Sequence, residues 1–359
     1  MSATATLEER VERLLGLLEE RELDCLLVTD LLNLRYLTGF TGSNGACVVA
    51  REERLFFTDF RYVEQSAEQV RGFEQVRAGR DMLGDLAGRL SGRVGFDDQH
   101  LSVASHGKLA GKLPDEVELI PAGGVVERLR AVKDPSEVEA MRAAAEISTA
   151  AYEWLRERGL AGSSEREVAR ELVRFMEDRG AEGPSFAPIV AAAGHGALPH
   201  AEAREVEIPR DTLVVVDMGA VVDGYCSDCT RTFATGAVGD AALEVYELVA
   251  RAQEAALGAV RAGAACHDVD AVSREPIEAA GYGERYGHGL GHGVGLVVHE
   301  EPRLAKTAEG ELAAGNAVTV EPGVYLPGEF GVRIEDLVIV SDGEPEILTG
   351  FTKDLVTIG

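Results

Sequence analysis

"TLVVVDMGAVVDGYCSDCTRTF", residues 212–233, contains two β-rich runs joined at Asp223-Gly224. An Asp-Gly pair between apolar runs signals a tight hairpin, because both dihedral positions of a type I′ turn need positive φ. Two registers are open. A two-residue loop at Val222-Asp223 pairs Asp217 directly with Asp228, and a loop at Asp223-Gly224 sets them two positions apart. Side chains alternate along a strand, so either register puts both carboxylates on one face. Directly opposed residues have Cβ atoms about 4.5–5.5 Å apart, and like charges there destabilise the pair unless a cation compensates. The alternative is a solvated pair of acids. Asp217 closes the apolar run Val214–Val216, which reads as a buried strand and argues against it.

Partners for those acids stand further along. "HGLGHGVGLVVHE", residues 288–300, holds three of the eight histidines. Glycine at alternate positions excludes a helical zinc motif here, since glycine is the poorest helix former after proline. Glu321 closes "NAVTVEPG", a strand halted by Pro-Gly, and Glu335 lies within "GVRIEDLVIV", read as one apolar strand in which Arg333 shares its face. The ordinary partner of such a glutamate is Arg333 itself, as a partly buried ion pair. Taken together, Asp217, Asp228, one histidine, Glu321 and Glu335 offer four carboxylates and an imidazole, a set suited to hard divalent ions such as Mn²⁺ rather than to one structural zinc. One dication leaves that set strongly anionic, whereas two dications with a bridging hydroxide leave a single negative charge, a far less costly state in a low-dielectric cleft.

Composition agrees with this picture. In 359 residues, 62 acids face 35 Lys and Arg for a formal charge of −27, which opposes nucleic-acid or anionic-lipid binding and favours cations. The amino-terminal stretch lacks a basic region and carries Leu7, Val11, Leu14, Leu15 and Leu18 at helical spacing, so an amphipathic helix is expected rather than a signal peptide. With no apolar run near the ~20 residues that cross a bilayer, and five sparse cysteines, the expectation is a cytoplasmic protein without disulfides or membrane partners. Cys226 and Cys229 form a CxxC without a second pair, a weak zinc or redox signal.

Short β-rich runs ("DCLLVTD", "GACVVA", "RLFFTDF", "GRVGFDD", "VELIPA") fill the first part of the chain, as in a mixed α/β domain. The pattern changes near residue 130. There Asp134, Pro135 and Glu137 predict a capped long helix, and Ser164 with Glu167 predicts a second. Helices then strands, twice over, suggest two α+β halves rather than a parallel βαβ sheet, and Pro276 should break or kink the helix before the histidine run.

These motifs resemble the Xaa-Pro peptidases, aminopeptidase P and prolidase, of the pita-bread metallopeptidase superfamily. The resemblance covers nearly the whole chain. It rests on "NLRYLTGFTGSNG" and "FFTDFRYVEQ" in the first domain, then "PSFAPIVAAAGHGALPH", the hairpin, "HGLGHGVGLVVHEEP", "VTVEPGVY" and "GVRIEDLVIV" in family order. It implies a creatinase/prolidase-like amino-terminal domain (1–128) and a pita-bread catalytic domain (129–359). It also implies Asp217, Asp228, His292, Glu321 and Glu335 as ligands of two divalent ions, Mn first with Co or Zn as alternatives. Glu321 would serve as proton shuttle, His288 and His299 would bind or polarise the scissile group, His200 would contact substrate near its amino-terminal side, and Arg333 would brace the site beside Glu335. Proline-containing peptides are the implied partners, a homodimer or higher oligomer the implied assembly, and Xaa-Pro aminopeptidase activity the first reading, with a strict Xaa-Pro dipeptidase as the alternative. A metal-free creatinase-like enzyme or a non-catalytic relative is disfavoured by the intact ligand set, and a methionine aminopeptidase by the extra first domain. His195 and His267 receive no role.

Overall fold

The structure, a computed structural model, describes residues 3–359, with side chains described from Thr6 onward. The chain divides into two compact units, Met1–Arg130 and Ala131–Gly359. Among the described residues no helix is long and apolar enough to cross a membrane.

In the first unit the amphipathic helix spans Ala3–Glu20 and buries Val11, Leu14, Leu15 and Leu18. The five β-rich runs form strands of one mixed six-stranded sheet. In spatial order these are Glu74–Arg77, Arg54–Thr58, Ala46–Ala50, Cys25–Val28, Arg93–Phe96 and Glu118–Pro121. The first of these has no counterpart among the β-rich runs of the sequence. "EQVR" lacks apolar alternation because it is an exposed edge strand, held by parallel pairing to Arg54–Thr58 rather than by burial.

The second unit opens with helices Pro135–Arg158 and Glu165–Glu177, each started by a complete capping box, Asp134/Glu137 and Ser164/Glu167. Each box satisfies helix-end N–H groups that the helix leaves orphaned. Asp134→Ala is therefore expected to lower stability by about 1 kcal/mol in denaturant titration, with no change in metal content.

The hairpin takes the second of its two registers. Val222 pairs with Tyr225 across Asp223 (φ 48°) and Gly224 (φ 77°), and further back Asp217 pairs with Thr230. Leu213–Met218 lies between Ile189–Ala192 and Cys229–Ala234 in a three-stranded sheet. After helices Asp240–Leu257 and Cys266–Ala279 comes a five-stranded sheet ordered Glu300–Leu304, Gly291–Gly293, Ala317–Val320, Asp336–Ile339 and Glu346–Ile347.

Two expectations are corrected. Pro276 does not end its helix, which runs on to Ala279. It sits in the last turn, where the one carbonyl it strips of a partner belongs to the exposed Val272 and can be solvated. The run around Glu335 is not one continuous strand either, whereas the strand before Glu321 is halted at its Pro-Gly as expected. Ala317–Val320 and Gly323–Leu326 belong to different sheets, as do Phe330–Arg333 and Asp336–Ile339. Glu321 and Glu335 occupy the two breaks, where the chain leaves one sheet for another and a side chain is released from the pleat.

Candidate metal centre

A cavity of about 470 Å³ opens entirely within the second unit. Every carboxylate and histidine given a site role from the sequence lines it: His200, Asp217, Asp228, His288, His292, His299, Glu321 and Glu335, together with Arg333. Four of the five candidate ligands come from strand ends or breaks and the fifth, His292, from the middle of a short strand, so backbone pairing positions their origins. Asp217 is the penultimate residue of its strand, Asp228 precedes Cys229–Ala234, and His292 is the centre of Gly291–Gly293.

One ligand atom each of Asp228, His292 and Glu335 lies within 4.8 Å of the others. His292 Nε2 is 3.2 Å from Glu321 Oε1 and 3.7 Å from Asp228 Oδ2. Its Nδ1–H donates to the Gly293 carbonyl at 3.1 Å, which points the lone pair of Nε2 into the cluster, as a metal-ligating histidine requires. The flanking glycines are sterically obligatory. A Cβ at Gly291 would fall 2.0 Å from the Thr319 carbonyl oxygen, and one at Gly293 would fall 2.2 Å from that of Glu301.

Arg333 is buried, but its ion pair is not with Glu335. Nη2 binds Asp217 Oδ2 at 2.7 Å, Nε donates to Thr230 Oγ1 at 2.9 Å, and Nη1 donates to Tyr325 and to the Pro199 carbonyl. Thr230 in turn donates to Glu335 Oε2 at 2.7 Å. Arg333 therefore braces Asp217 directly and Glu335 through Thr230. The strand break at Glu335 separates the two side chains that an unbroken strand would have placed on one face.

The electrostatics ask for a cation. Burial, with Glu335, Asp217 and Glu321 nearby, holds the Asp228 carboxyl well above the usual carboxylate range, and burial with Glu321 and Asp217 does the same to Glu335. Burial also raises Asp217, against the opposing charge of Arg333. Glu321 differs: burial would raise it, but the hydrogen bond and charge of His292, with His288 and Arg333, outweigh that and hold it at about 2. His292 is correspondingly raised by Glu321 against its own burial. Asp217 Oδ1 is buried without a hydrogen-bond partner, an orphan that a carboxylate keeps only at a cost. Oxygen-rich donors, an orphaned carboxylate oxygen and clustered acids together fit divalent ions held by Asp217, Asp228, His292, Glu321 and Glu335.

The remaining histidines differ among themselves. His288 donates from Nδ1 to the Gly289 carbonyl at 2.7 Å and meets the Tyr325 hydroxyl at Nε2, 2.9 Å away, so both ring nitrogens are engaged. Burial lowers its pKa and keeps it neutral. His299 stacks edge-on against His292 with centroids 4.3 Å apart, and burial and that neighbour lower its pKa too. Cys226 and Cys229 are buried free thiols, and burial pushes Cys226 up to about 11, far from a reactive thiolate.

Two residues at the site, one behind the cavity wall and one on it, carry little signal in the sequence. Tyr325 ties Arg333 to His288 from the ribbon strand beyond Glu321, and its only sequence signal is an aromatic residue inside "EPGVY". Arg303 lines the cavity on the strand paired with His292, directly opposite it in register. Alternation along "EEPRL" would have found it only with the pairing known.

Residues 139–342 match the model of metallopeptidase family M24, and residues 10–132 match that of the creatinase/prolidase N-terminal domain. The chain belongs to metallopeptidase family M24. Among solved M24-like structures, an Xaa-Pro dipeptidase from Bacillus anthracis is 39% identical with TM-score 0.95, over 98% of this chain and 100% of that one. An X-Pro aminopeptidase from Thermotoga maritima MSB8 is 34% identical with TM-score 0.89, over 97% and 100%. An Xaa-Pro dipeptidase from Pyrococcus furiosus is 33% identical over 98% of this chain and 100% of its own length. The chain is thus a two-domain M24 hydrolase, and the creatinase-like first domain and the α+β catalytic unit expected from the sequence stand.

Proposed function

We propose that this chain hydrolyses the peptide bond before proline, with Xaa-Pro dipeptides as its preferred substrates. The observation that carries the choice of dipeptide is Arg303. Of the two guanidinium groups lining the cavity, Arg333 is committed to Asp217, whereas Arg303 is largely exposed and among the described residues makes one loose ion pair, with Glu301 at 3.9 Å. A dipeptide presents its proline carboxylate one residue from the scissile bond, within the same cavity as this cation, and a guanidinium is the side chain best shaped to receive it. The two dipeptidases among the relatives above support the reading. The aminopeptidase reading rests on the Thermotoga relative, and on the reasoning that no sequence feature closes the far side of the cleft.

In the proposed mechanism, Asp217, Asp228, His292, Glu321 and Glu335 hold two divalent ions, manganese first on account of the oxygen-rich donors. When bound, these ions polarise the scissile carbonyl and lower the pKa of the attacking water. Glu321 takes the proton of that water and returns it to the proline nitrogen, which has no hydrogen of its own and must be protonated to leave. His299 is neutral and faces the cluster, so its N–H can steady the carbonyl oxygen. His288, held by Gly289 and Tyr325, presents a neutral ring to the substrate. His200 and the apolar wall of Phe186 and Ile189 receive the residue before proline. Arg333 opposes the rise that burial imposes on Asp217 and holds it in place.

Incubation of Mn²⁺-loaded enzyme with Ala-Pro, Ala-Pro-Ala and Ala-Ala-Ala, with products identified by mass, tests this directly. Ala-Pro cleavage with little release from Ala-Pro-Ala is the expected result. Efficient release of alanine from Ala-Pro-Ala favours the aminopeptidase, and preference for Ala-Ala-Ala refutes proline specificity. Arg303→Gln should raise KM for Ala-Pro about tenfold while leaving kcat close to wild type.

A further inference from the structure

From Leu198 to Arg204 the cavity wall that carries His200 has no regular secondary structure, following a short 3-10 turn at Ala193–Ala197, yet it is held at three points. Glu165, the first residue of helix Glu165–Glu177, is 1% exposed at its side chain and lies outside the cavity. Its carboxylate accepts from Ala192 N at 3.0 Å, where the strand before the segment ends. It accepts from His195 Nδ1 at 2.9 and 3.0 Å, and from Arg204 through N at 3.1 Å and Nε at 3.2 Å. One carboxylate thus fastens both stems of the segment 195–204. Between them, Leu198 N donates to His195 O and Ala201 N to Leu198 O, while Arg333 Nη1 holds the Pro199 carbonyl at 3.2 Å from inside the cavity. The stretch so clamped supplies Pro199, His200, Ala201 and Glu202 to the cavity wall.

Every partner of Glu165 is a donor. The His195 ring must carry its proton on Nδ1, and the carboxylate must stay ionised to receive them all, which its depressed pKa supports: burial opposes ionisation, but Arg204, Ala192 and His195 outweigh it. The adjoining backbone runs along the helix start as well, with Glu165 N donating to Val206 O and Arg166 N to Arg204 O. A buried acid whose hydrogen bonds all converge on the two ends of one substrate-facing segment is more than a helix cap. We infer that Glu165, with His195 and Arg204 as its clasps, is a positioning residue that sets the placement of His200 against the substrate residue before proline. The consequence for turnover rests on the proposed Xaa-Pro activity, whereas the clamp itself does not.

The test uses full-length metal-loaded enzyme and two readouts. In Glu165→Gln, one acceptor oxygen becomes an amide donor facing other donors, so amide hydrogen exchange over residues 195–204 should accelerate while the strand Ala317–Val320 keeps its protection. Metal content should stay at the wild-type value. With Xaa-Pro dipeptides, kcat/KM should fall about ten- to a hundredfold, mostly through KM, because a displaced binding group weakens substrate placement more than the chemical step. Glu165→Asp, which keeps the charge, should recover part of the loss. If Glu165→Gln does not fold, His195→Ala and Arg204→Ala leave the carboxylate and its main-chain bonds in place and should shift KM and local exchange in the same direction by less. Unchanged exchange over 195–204 overturns the inference, as does a loss confined to kcat with loss of metal. Failure of the wild-type enzyme to cleave any Xaa-Pro dipeptide would instead strike the proposed substrate, and the exchange experiment would still decide the clamp.

Discussion

Removal of divalent ions from the purified enzyme is expected to abolish peptide hydrolysis, with recovery on adding Mn²⁺ or Co²⁺, and Asp228→Asn should lower kcat/KM on the order of a thousandfold. Metal polarisation contributes several kcal/mol to a hydrolytic transition state, and each 1.4 kcal/mol is a factor of ten in rate. Asp228 is buried beside three other carboxylates, so a neutral amide both loses a ligand and alters the charge that attracts the ions. Metal analysis of the variant should show reduced occupancy. Full activity after exhaustive chelation would contradict the proposal. Because Asp228 and Glu335 hold protons above the ordinary carboxylate range when no ion is bound, protons compete with metal, and affinity measured by titration should weaken as pH falls through that raised range.

The second large effect separates the histidines. His292→Ala should reduce metal content and turnover together, by about a thousandfold in kcat/KM, since Nε2 is the imidazole donor directed at Glu321 and Asp228. His299→Ala should keep its metal and lose mainly kcat, by about 10²–10³-fold, the cost of removing one hydrogen-bond donor to a developing oxyanion. His288→Ala should also keep its metal, but its effect passes through Tyr325 and Arg333, so Tyr325→Phe should reproduce part of it. Loss of metal from His288→Ala with retention in His292→Ala would reverse the assignment.

The local chemistry of the chain is legible in the order of its residues. Both capping boxes, the buried runs flanking Asp223-Gly224 and the amphipathic first helix follow from short-range physics: hydrogen-bond valence at helix ends, φ tolerance in turns, and the burial period of helix and strand. Alternation alone places Asp217 and Asp228 on one face whichever register holds. It cannot choose the register, and it reads the segment around Glu335 as an unbroken strand, because nothing local to an apolar run says that its two halves belong to different sheets. Arg333 shows the consequence. Two residues from Glu335 in sequence, it pairs instead with Asp217, more than a hundred residues away, because the strand break turns the nearer acid towards Thr230. Tyr325, Arg303 and the Glu165 clamp likewise depend on pairings made across the unit. The sequence by itself determined which residue types were available to hold metal and the strands and turns that present them. Tertiary structure alone decided which of them meet, because long-range contacts are set by how sheets and helices pack, and that packing leaves no period along the chain to be read.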